Sequence, residues 1–145
     1  MKPTRARDLV LVAIVFGALA YVLLWWAYRS IPNLPRTAPL SVVVIGLIEL
    51  QVAGLTRRRL EGRPGTRPIL PLTVARLAAL AKASSVTASA LAGGWAGTLG
   101  YTLPRTDEFP TAGSDAVTAG LGLAAAVVLL AGGLLLERVC RVRKP

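Results

Sequence analysis

The sequence contains no histidine and one cysteine, Cys140. Without histidine the chain lacks the side chain that most often serves as a general base near neutral pH and as a metal ligand. A lone cysteine excludes a disulfide within the chain. The remaining candidate bases are Glu49 and two loop acids, Asp107 and Glu108. We therefore expect a protein that is not an enzyme, and assign no catalytic residue, no cofactor and no metal ligand.

Acidic residues are also scarce, with 7 Asp and Glu against 17 Lys and Arg and a net charge of +10. In a soluble protein this balance would indicate nucleic-acid binding. Here 54% of the residues are hydrophobic, the mean hydropathy is +0.59, and the basic residues stand at the ends of long apolar runs. This pattern predicts one multi-pass membrane domain over 1–145 whose basic groups face anionic lipid headgroups, with no nucleic-acid partner.

The apolar runs predict an all-α, integral membrane four-helix bundle. An apolar helix of about twenty residues crosses the hydrocarbon core of a bilayer. The expected spans are 9–28, 40–56, 80–103 and 115–136. The triplet Ala18-Leu19-Ala20 resembles a signal-peptide cleavage site. We expect the first run to be retained, because no polar region follows this triplet and the run ends in the aromatic cluster Trp25, Trp26 and Tyr28.

Lysine and arginine are distributed unequally among the connections. They collect at the N-terminus, in a basic hinge over 57–71 and in the C-terminal tail, whereas the other two connections contain only Arg29, Arg36 and Arg105. Since cytoplasmic loops carry the excess of Lys and Arg, both termini and the hinge are predicted to be cytoplasmic. The hinge arginines either fix this topology or bind acidic lipid or a phosphorylated ligand; they are Arg57, Arg58, Arg59, Arg63 and Arg67.

Four segments carry a family resemblance: PTRARDL at 3–9, the block at 63–85, GGWAGTLGY at 93–101, and LLLERVCRV at 134–142. Together they resemble small four-span membrane proteins of actinobacteria that are classed as a domain of unknown function, family 3180. The resemblance covers nearly the whole chain. It implies a bacterial inner-membrane protein, and it implies no activity and no catalytic residues.

Glu49 is an acid inside the second apolar run. It lies about eight residues, or roughly 12 Å of helix, from Arg57 and a similar distance from Pro39, which places it near mid-membrane. A carboxylate at that depth normally faces a partner or a cavity. Two interpretations stay open: a proton or cation site, or a buried acid, protonated or paired, that locks the second helix against the third. Lys82 is the candidate ion-pair partner, although snorkelling to the headgroups also explains Lys82 and Arg76.

Small residues recur every four positions along the third helical run, at Ser85, Ser89, Gly93 and Gly97. Such a stripe lets a second helix approach closely, and its serines can form interhelical hydrogen bonds. Candidate partners are the small residues Gly46, Ala53, Ala124 and Gly132. The sequence leaves open whether this stripe packs within one chain or between two.

These features predict a structural or accessory membrane protein that acts through helix packing with itself, as a homo-oligomer, or with an unknown membrane protein partner. The alternative is a subunit of a small transporter or channel that uses Glu49. A self-sufficient transporter usually contains an internal repeat or interrupted helices, and we find no convincing repeat in the sequence.

Overall fold

The computed structural model describes residues 5–30, 34–62, 64–65 and 70–141. All regular structure in these ranges is helical, which confirms the all-α prediction. The α-helices are α1 (Ala6–Ala27), α2 (Ala38–Leu60), α3 (Pro71–Thr102) and α4 (Ala112–Arg141). Short 3-10 helices, Tyr28–Ser30 and Leu103–Arg105, extend α1 and α3.

Three of the helical segments in the described part of the chain are long and apolar enough to cross a membrane: Ala6–Ser30, Ala38–Leu60 and Ala112–Cys140. Helix α3, which contains the predicted span 80–103, is not among them. Its glycines, serines and threonines, together with Lys82, lower its hydropathy. The fold compensates for this composition, because α3 packs between α1 and α4.

The helices extend beyond the predicted spans at several ends. Helix α2 continues to Leu60, so that Arg57 to Arg59 form its last turn and the connection to α3 begins at Glu61. Cations suit that position because the carbonyl end of a helix carries partial negative charge. The chain then turns through Gly62, whose φ is 66°, a value that glycine adopts without a steric penalty.

Helices α1 and α3 pack as a parallel pair. A Cβ atom added to Gly17 would lie 3.0 Å from the backbone oxygen of Gly93, and one added to Gly97 would overlap the backbone of Gly17. A Cβ atom on Gly93 would overlap Ala13 in the same way. The contacts therefore advance in the same direction along both helices, in the small-xxx-small pattern that permits close backbone approach.

Helices α2 and α4 form the second parallel pair. A Cβ atom on Gly46 would lie 2.9 Å from the backbone nitrogen of Leu129, and one on Gly132 would lie 3.2 Å from the Cβ atom of Glu49. Gly46 of α2 thus faces Leu129 of α4, and Glu49, three residues later, faces Gly132, also three residues later, which shows that the two helices are parallel. Glycine on each helix again provides the space for the other.

Helices α3 and α4 join the two pairs and run antiparallel. Ser85 near the start of α3 faces Gly133 near the end of α4, while Trp95 lies over Gly122. The packing order is therefore α1, α3, α4, α2, with the two inner helices shielded by the two outer ones. Gly132 and Gly133 are adjacent in sequence, and they accommodate α2 and α3 respectively.

The buried interior is built mainly from small side chains. Ala81, Ala88, Ala119 and Ala126 are fully buried, which allows the helices to approach closely. Large apolar residues instead cover the outside of the outer helices. On α1 the exposed ones include Val10, Leu11, Ile14, Val15, Phe16, Leu19, Val22 and Leu23. A surface of this kind suits lipid chains or an apolar partner rather than water.

Candidate functional site

Glu49 lies on the face of α2 that packs against α4, and only 5% of it is exposed. Its Oε1 atom accepts a hydrogen bond from the hydroxyl of Ser84 on α3. Its Oε2 atom is buried and has no hydrogen-bond partner among the described residues. One carboxyl group thus links α2 to α3, and one of its two oxygens is left unsatisfied.

Gly132 closes the space around this carboxyl group. A Cβ atom at Gly132 would lie 3.6 Å from Oε2 of Glu49 and 3.0 Å from the backbone oxygen of Gly46. The absence of a side chain at Gly132 therefore makes room for Glu49. An unsatisfied buried acceptor costs about 1–3 kcal/mol, so the fold retains Glu49 despite an energetic penalty.

Lys82 and Arg76 lie on exposed parts of α3. Glu49 forms no ion pair with Lys82 in the described chain, since its hydrogen bond goes to Ser84. Residues two positions apart in a helix differ by about 200° around its axis. Lys82 and Ser84 therefore point to nearly opposite sides of α3. This geometry separates Lys82 from the buried carboxyl group, while Arg76 precedes Ser84 by eight residues, or about 12 Å along the helix.

The small-residue stripe of α3 contacts two different helices. Ser85 is buried, donates its own hydroxyl to the backbone oxygen of Ala81 at 2.9 Å, and faces α4. Gly93 and Gly97 face α1. A four-residue step advances about 40° around a helix, so three steps rotate the stripe by about 120°. Ser89, between them, is also buried.

The arginines at the end of α2 are exposed to solvent. The Nε atom of Arg57 lies 2.8 Å from Oε1 of Glu61, one turn further along. Pairs of this kind on an exposed helix contribute only a few tenths of a kcal/mol, about 0.3–0.5. Arg63 and Arg67, the other two hinge arginines, lie outside the described residues.

Asp115, in the first turn of α4, is a second buried acid. It is 2% exposed, and both of its carboxyl oxygens are used. Oδ2 accepts a hydrogen bond from the Tyr28 hydroxyl at 2.7 Å, and Oδ1 accepts one from the backbone N–H of Leu34 at 3.1 Å. Asp115 therefore ties the end of α1 and the entry to α2 onto α4.

Ser114 does not cap helix α4. Helix α4 begins at Ala112, so Ser114 lies inside the first turn, where its hydroxyl donates to the backbone oxygen of Thr111 at 2.9 Å. Two sequence features together could have identified the contact between Asp115 and Tyr28. Asp115 is an acid where the fourth apolar run begins, and Tyr28 is a hydroxyl donor where the first apolar run ends, on the same predicted side of the membrane.

Aromatic rings surround the Tyr28 end of this network. The ring of Tyr28 lies 5.3 Å from that of Tyr101 and 5.2 Å from that of Phe109, edge to face. The guanidinium group of Arg105 sits over the Tyr101 ring at 4.2 Å and donates to the Tyr101 backbone oxygen at 3.0 Å. These contacts fix Arg105 at the α3–α4 connection.

The acidic and cysteine side chains are dispersed in the described part of the chain. No three or more of its cysteine, aspartate and glutamate residues are grouped so that they could hold a metal ion. Cys140 is half-buried and packs against the cluster of Ala53, Ala81 and Leu136. The two buried acids are therefore the polar groups that distinguish this fold.

Comparison with known proteins identifies a family for the chain. No curated protein and no solved structure matches it. The model of one family, described as protein of unknown function (DUF3180), matches residues 9–144. This match covers more than half of the chain and includes all four helices except the first three residues of α1. The chain belongs to the DUF3180 family of proteins of unknown function.

Proposed function

We propose that this chain is a bacterial inner-membrane protein that acts as a structural or accessory component, through packing of its helices with itself or with another membrane protein. The outer faces of α1 and α2 supply the surface for such packing, because large apolar side chains cover them. Anionic lipid headgroups are the proposed partners of the basic end of the molecule, where Arg57, Arg58 and Arg59 are exposed.

The proposed topology has four spans, with both termini and the hinge in the cytoplasm. Helix α3 is the fourth span in addition to the three apolar ones. Its antiparallel packing along α4, from Ser85 to Trp95, supports this placement. The excess of lysine and arginine at the termini and the hinge supports the orientation.

The observation that carries the proposal is the closed packing around Glu49. The carboxyl group has Ser84 as its hydrogen-bond partner, and Gly132 packs directly against it. An acid that served a transport path would face a cavity or a water-filled route. Here it is 5% exposed and is enclosed where three helices meet, which favours the packing function over a transport path.

Site-directed crosslinking in native membranes tests the packing role. In a Cys140→Ser background, single cysteines at Ile14→Cys on α1 and Ile48→Cys on α2 report on the exposed faces. We expect a discrete crosslinked product from at least one of these positions. The matched control is Ala125→Cys on the buried face of α4, which is expected to give none. Monomer alone at both exposed positions would contradict the proposal.

A transporter or channel subunit is the second candidate, because Oε2 of Glu49 has no partner among the described residues. Thiol accessibility separates the two functions. In the Cys140→Ser background, Glu49→Cys should resist a membrane-impermeant thiol reagent, while Arg58→Cys, exposed on the same helix, should react. Modification of Glu49→Cys at a comparable rate would favour a water-filled path and hence transport.

A further inference from the structure

A cleft of about 410 Å³ opens at the end of the bundle opposite the basic hinge. Two tryptophans, two arginines, an acid and a tyrosine supply most of its wall: Trp25, Trp26, Arg29, Tyr101, Arg105 and Glu108. The cleft lies where the apolar segment Ala6–Ser30 ends, at the depth of the lipid headgroups. We infer that this cleft binds the headgroup of an anionic glycerophospholipid through its two guanidinium groups.

Arg105 is held in place before any ligand arrives. Its guanidinium group stacks on Tyr101 at 4.2 Å, one terminal nitrogen donates to the Tyr101 backbone oxygen at 3.0 Å, and Nε lies 3.9 Å from Oε2 of Glu108. A guanidinium group has five N–H donors, so these contacts leave donors for a phosphate. A fixed planar donor set loses little entropy on binding.

The charge of the cleft favours an anionic headgroup over a zwitterionic one. Arg29 and Arg105 contribute two positive charges and Glu108 one negative charge, which leaves a net charge of one positive unit. A phosphodiester with an uncharged glycerol group, as in phosphatidylglycerol, carries the matching single negative charge. A headgroup with its own ammonium group has no net charge to offset that of the cleft.

The two tryptophans indicate where the glycerol backbone and acyl chains of the lipid would lie. Trp25 is 70% exposed and Trp26 is 82% exposed. Indole rings suit the membrane interface, where the ring contacts apolar chains and its N–H donates to a polar group. We therefore expect the two rings to lie beside the glycerol backbone and upper acyl chains of a lipid whose phosphate is near the arginines.

Native mass spectrometry of the full chain in detergent tests this inference. Phosphatidylglycerol, phosphatidylethanolamine and phosphatidylcholine with the same acyl chains are added separately, with soluble glycerol 3-phosphate as a fourth ligand. Phosphatidylglycerol is expected to bind most tightly. Loss of one arginine charge near a lipid phosphate should weaken its apparent affinity about fivefold, and we expect that loss in Arg29→Gln.

The matched control is Arg36→Gln, since Arg36 is exposed on the same predicted side and is not among the residues that line the cleft. Its affinity for phosphatidylglycerol should equal that of the wild type. Arg105→Gln should also bind more weakly, and a thermal unfolding measurement on each variant identifies any loss of fold.

Three results would overturn the inference: equal affinity for the three lipids, an unchanged affinity in Arg29→Gln, or binding of glycerol 3-phosphate as tight as that of the lipid. The inference rests on the proposed membrane location and not on the accessory role. Crosslinking at Ile14 and Ile48 can therefore fail while lipid binding succeeds, or the reverse.

Discussion

The two buried acids of this protein have opposite hydrogen-bond environments. Asp115, at one end of the bundle, has a partner on each oxygen: the Tyr28 hydroxyl at 2.7 Å and the Leu34 N–H at 3.1 Å. Glu49, in the middle of α2, has Ser84 on one oxygen and no partner on the other in the described chain. A fully satisfied acid stabilises the structure that holds it, whereas a half-satisfied acid imposes a cost.

The largest expected effect follows from removing the satisfied acid. Asp115→Ala leaves the Leu34 N–H without its acceptor and leaves the Tyr28 hydroxyl with only the longer contact to Oγ1 of Thr111, at 3.4 Å, in place of Asp115. Each buried donor that loses its partner costs about 1–3 kcal/mol, so we expect the free energy of unfolding to fall by about 3 kcal/mol. Equilibrium unfolding in mixed micelles measures this change. A loss below about 1 kcal/mol would mean that Asp115 does not hold the helix ends together.

The second effect comes from filling the space beside the half-satisfied acid. In Gly132→Ala the new Cβ atom would lie 3.0 Å from the Gly46 backbone oxygen and 3.2 Å from the Cβ atom of Glu49. Because α2 and α4 must move apart, we expect a loss of about 2 kcal/mol in the free energy of unfolding.

The matched control for that substitution is Gly120→Ala on the same helix. A Cβ atom there meets nothing within 4 Å, and alanine is favoured over glycine inside helices, so its stability should rise by about 0.5–1 kcal/mol. Equal changes in the two variants would remove the distinction between the packed and the open face of α4.

A smaller effect is expected from taking one partner away from Asp115. Tyr28→Phe keeps the aromatic packing on Tyr101 and Phe109 but deletes the hydroxyl that donates to Asp115. We expect a loss of about 1–2 kcal/mol in thermal or denaturant unfolding. Tyr21→Phe, whose ring also contacts Tyr101 but whose side chain is exposed, serves as the control and should change stability by less than about 0.5 kcal/mol.

The smallest effect is expected at the half-satisfied acid. Glu49→Met removes the oxygen that has no partner and keeps a similar side-chain volume. The Ser84 hydroxyl then loses its acceptor but can donate to the carbonyl one turn back, as Ser85 does to Ala81. We expect the free energy of unfolding to change by less than about 1 kcal/mol, in either direction. A loss as large as that of Asp115→Ala would show that Glu49 is a required structural link.

The sequence predicted where the helices lie better than it predicted which helices pack against each other. Long uncharged runs require helical structure in a membrane, because backbone groups must be satisfied internally, and the described chain is helical along these runs. Packing order is not encoded locally. The stripe from Ser85 to Gly97 predicts close helix approach, but its rotation around α3 distributes it between α4 and α1, which a search for one partner helix does not anticipate.

For the polar sites, too, the sequence indicates an unusual residue more readily than its partner in the fold. Glu49 is conspicuous in the sequence because an acid inside an apolar run is rare, yet its hydrogen-bond partner is an ordinary serine, Ser84. Asp115 is not conspicuous in the sequence, because an acid at a helix start has a local explanation. Its partner Tyr28 is 87 positions away, and only the folded chain brings the two together.

The most direct test of the account, in which Glu49 is enclosed by helix packing and is not part of an ion path, is ion flux through the purified protein in proteoliposomes. Wild type and Glu49→Met are compared under an imposed proton gradient and then under a sodium or potassium gradient. The account predicts flux no greater than that of protein-free liposomes for both proteins. Proton or cation movement through the wild type that is lost in Glu49→Met, with the fold of that variant intact, would contradict it.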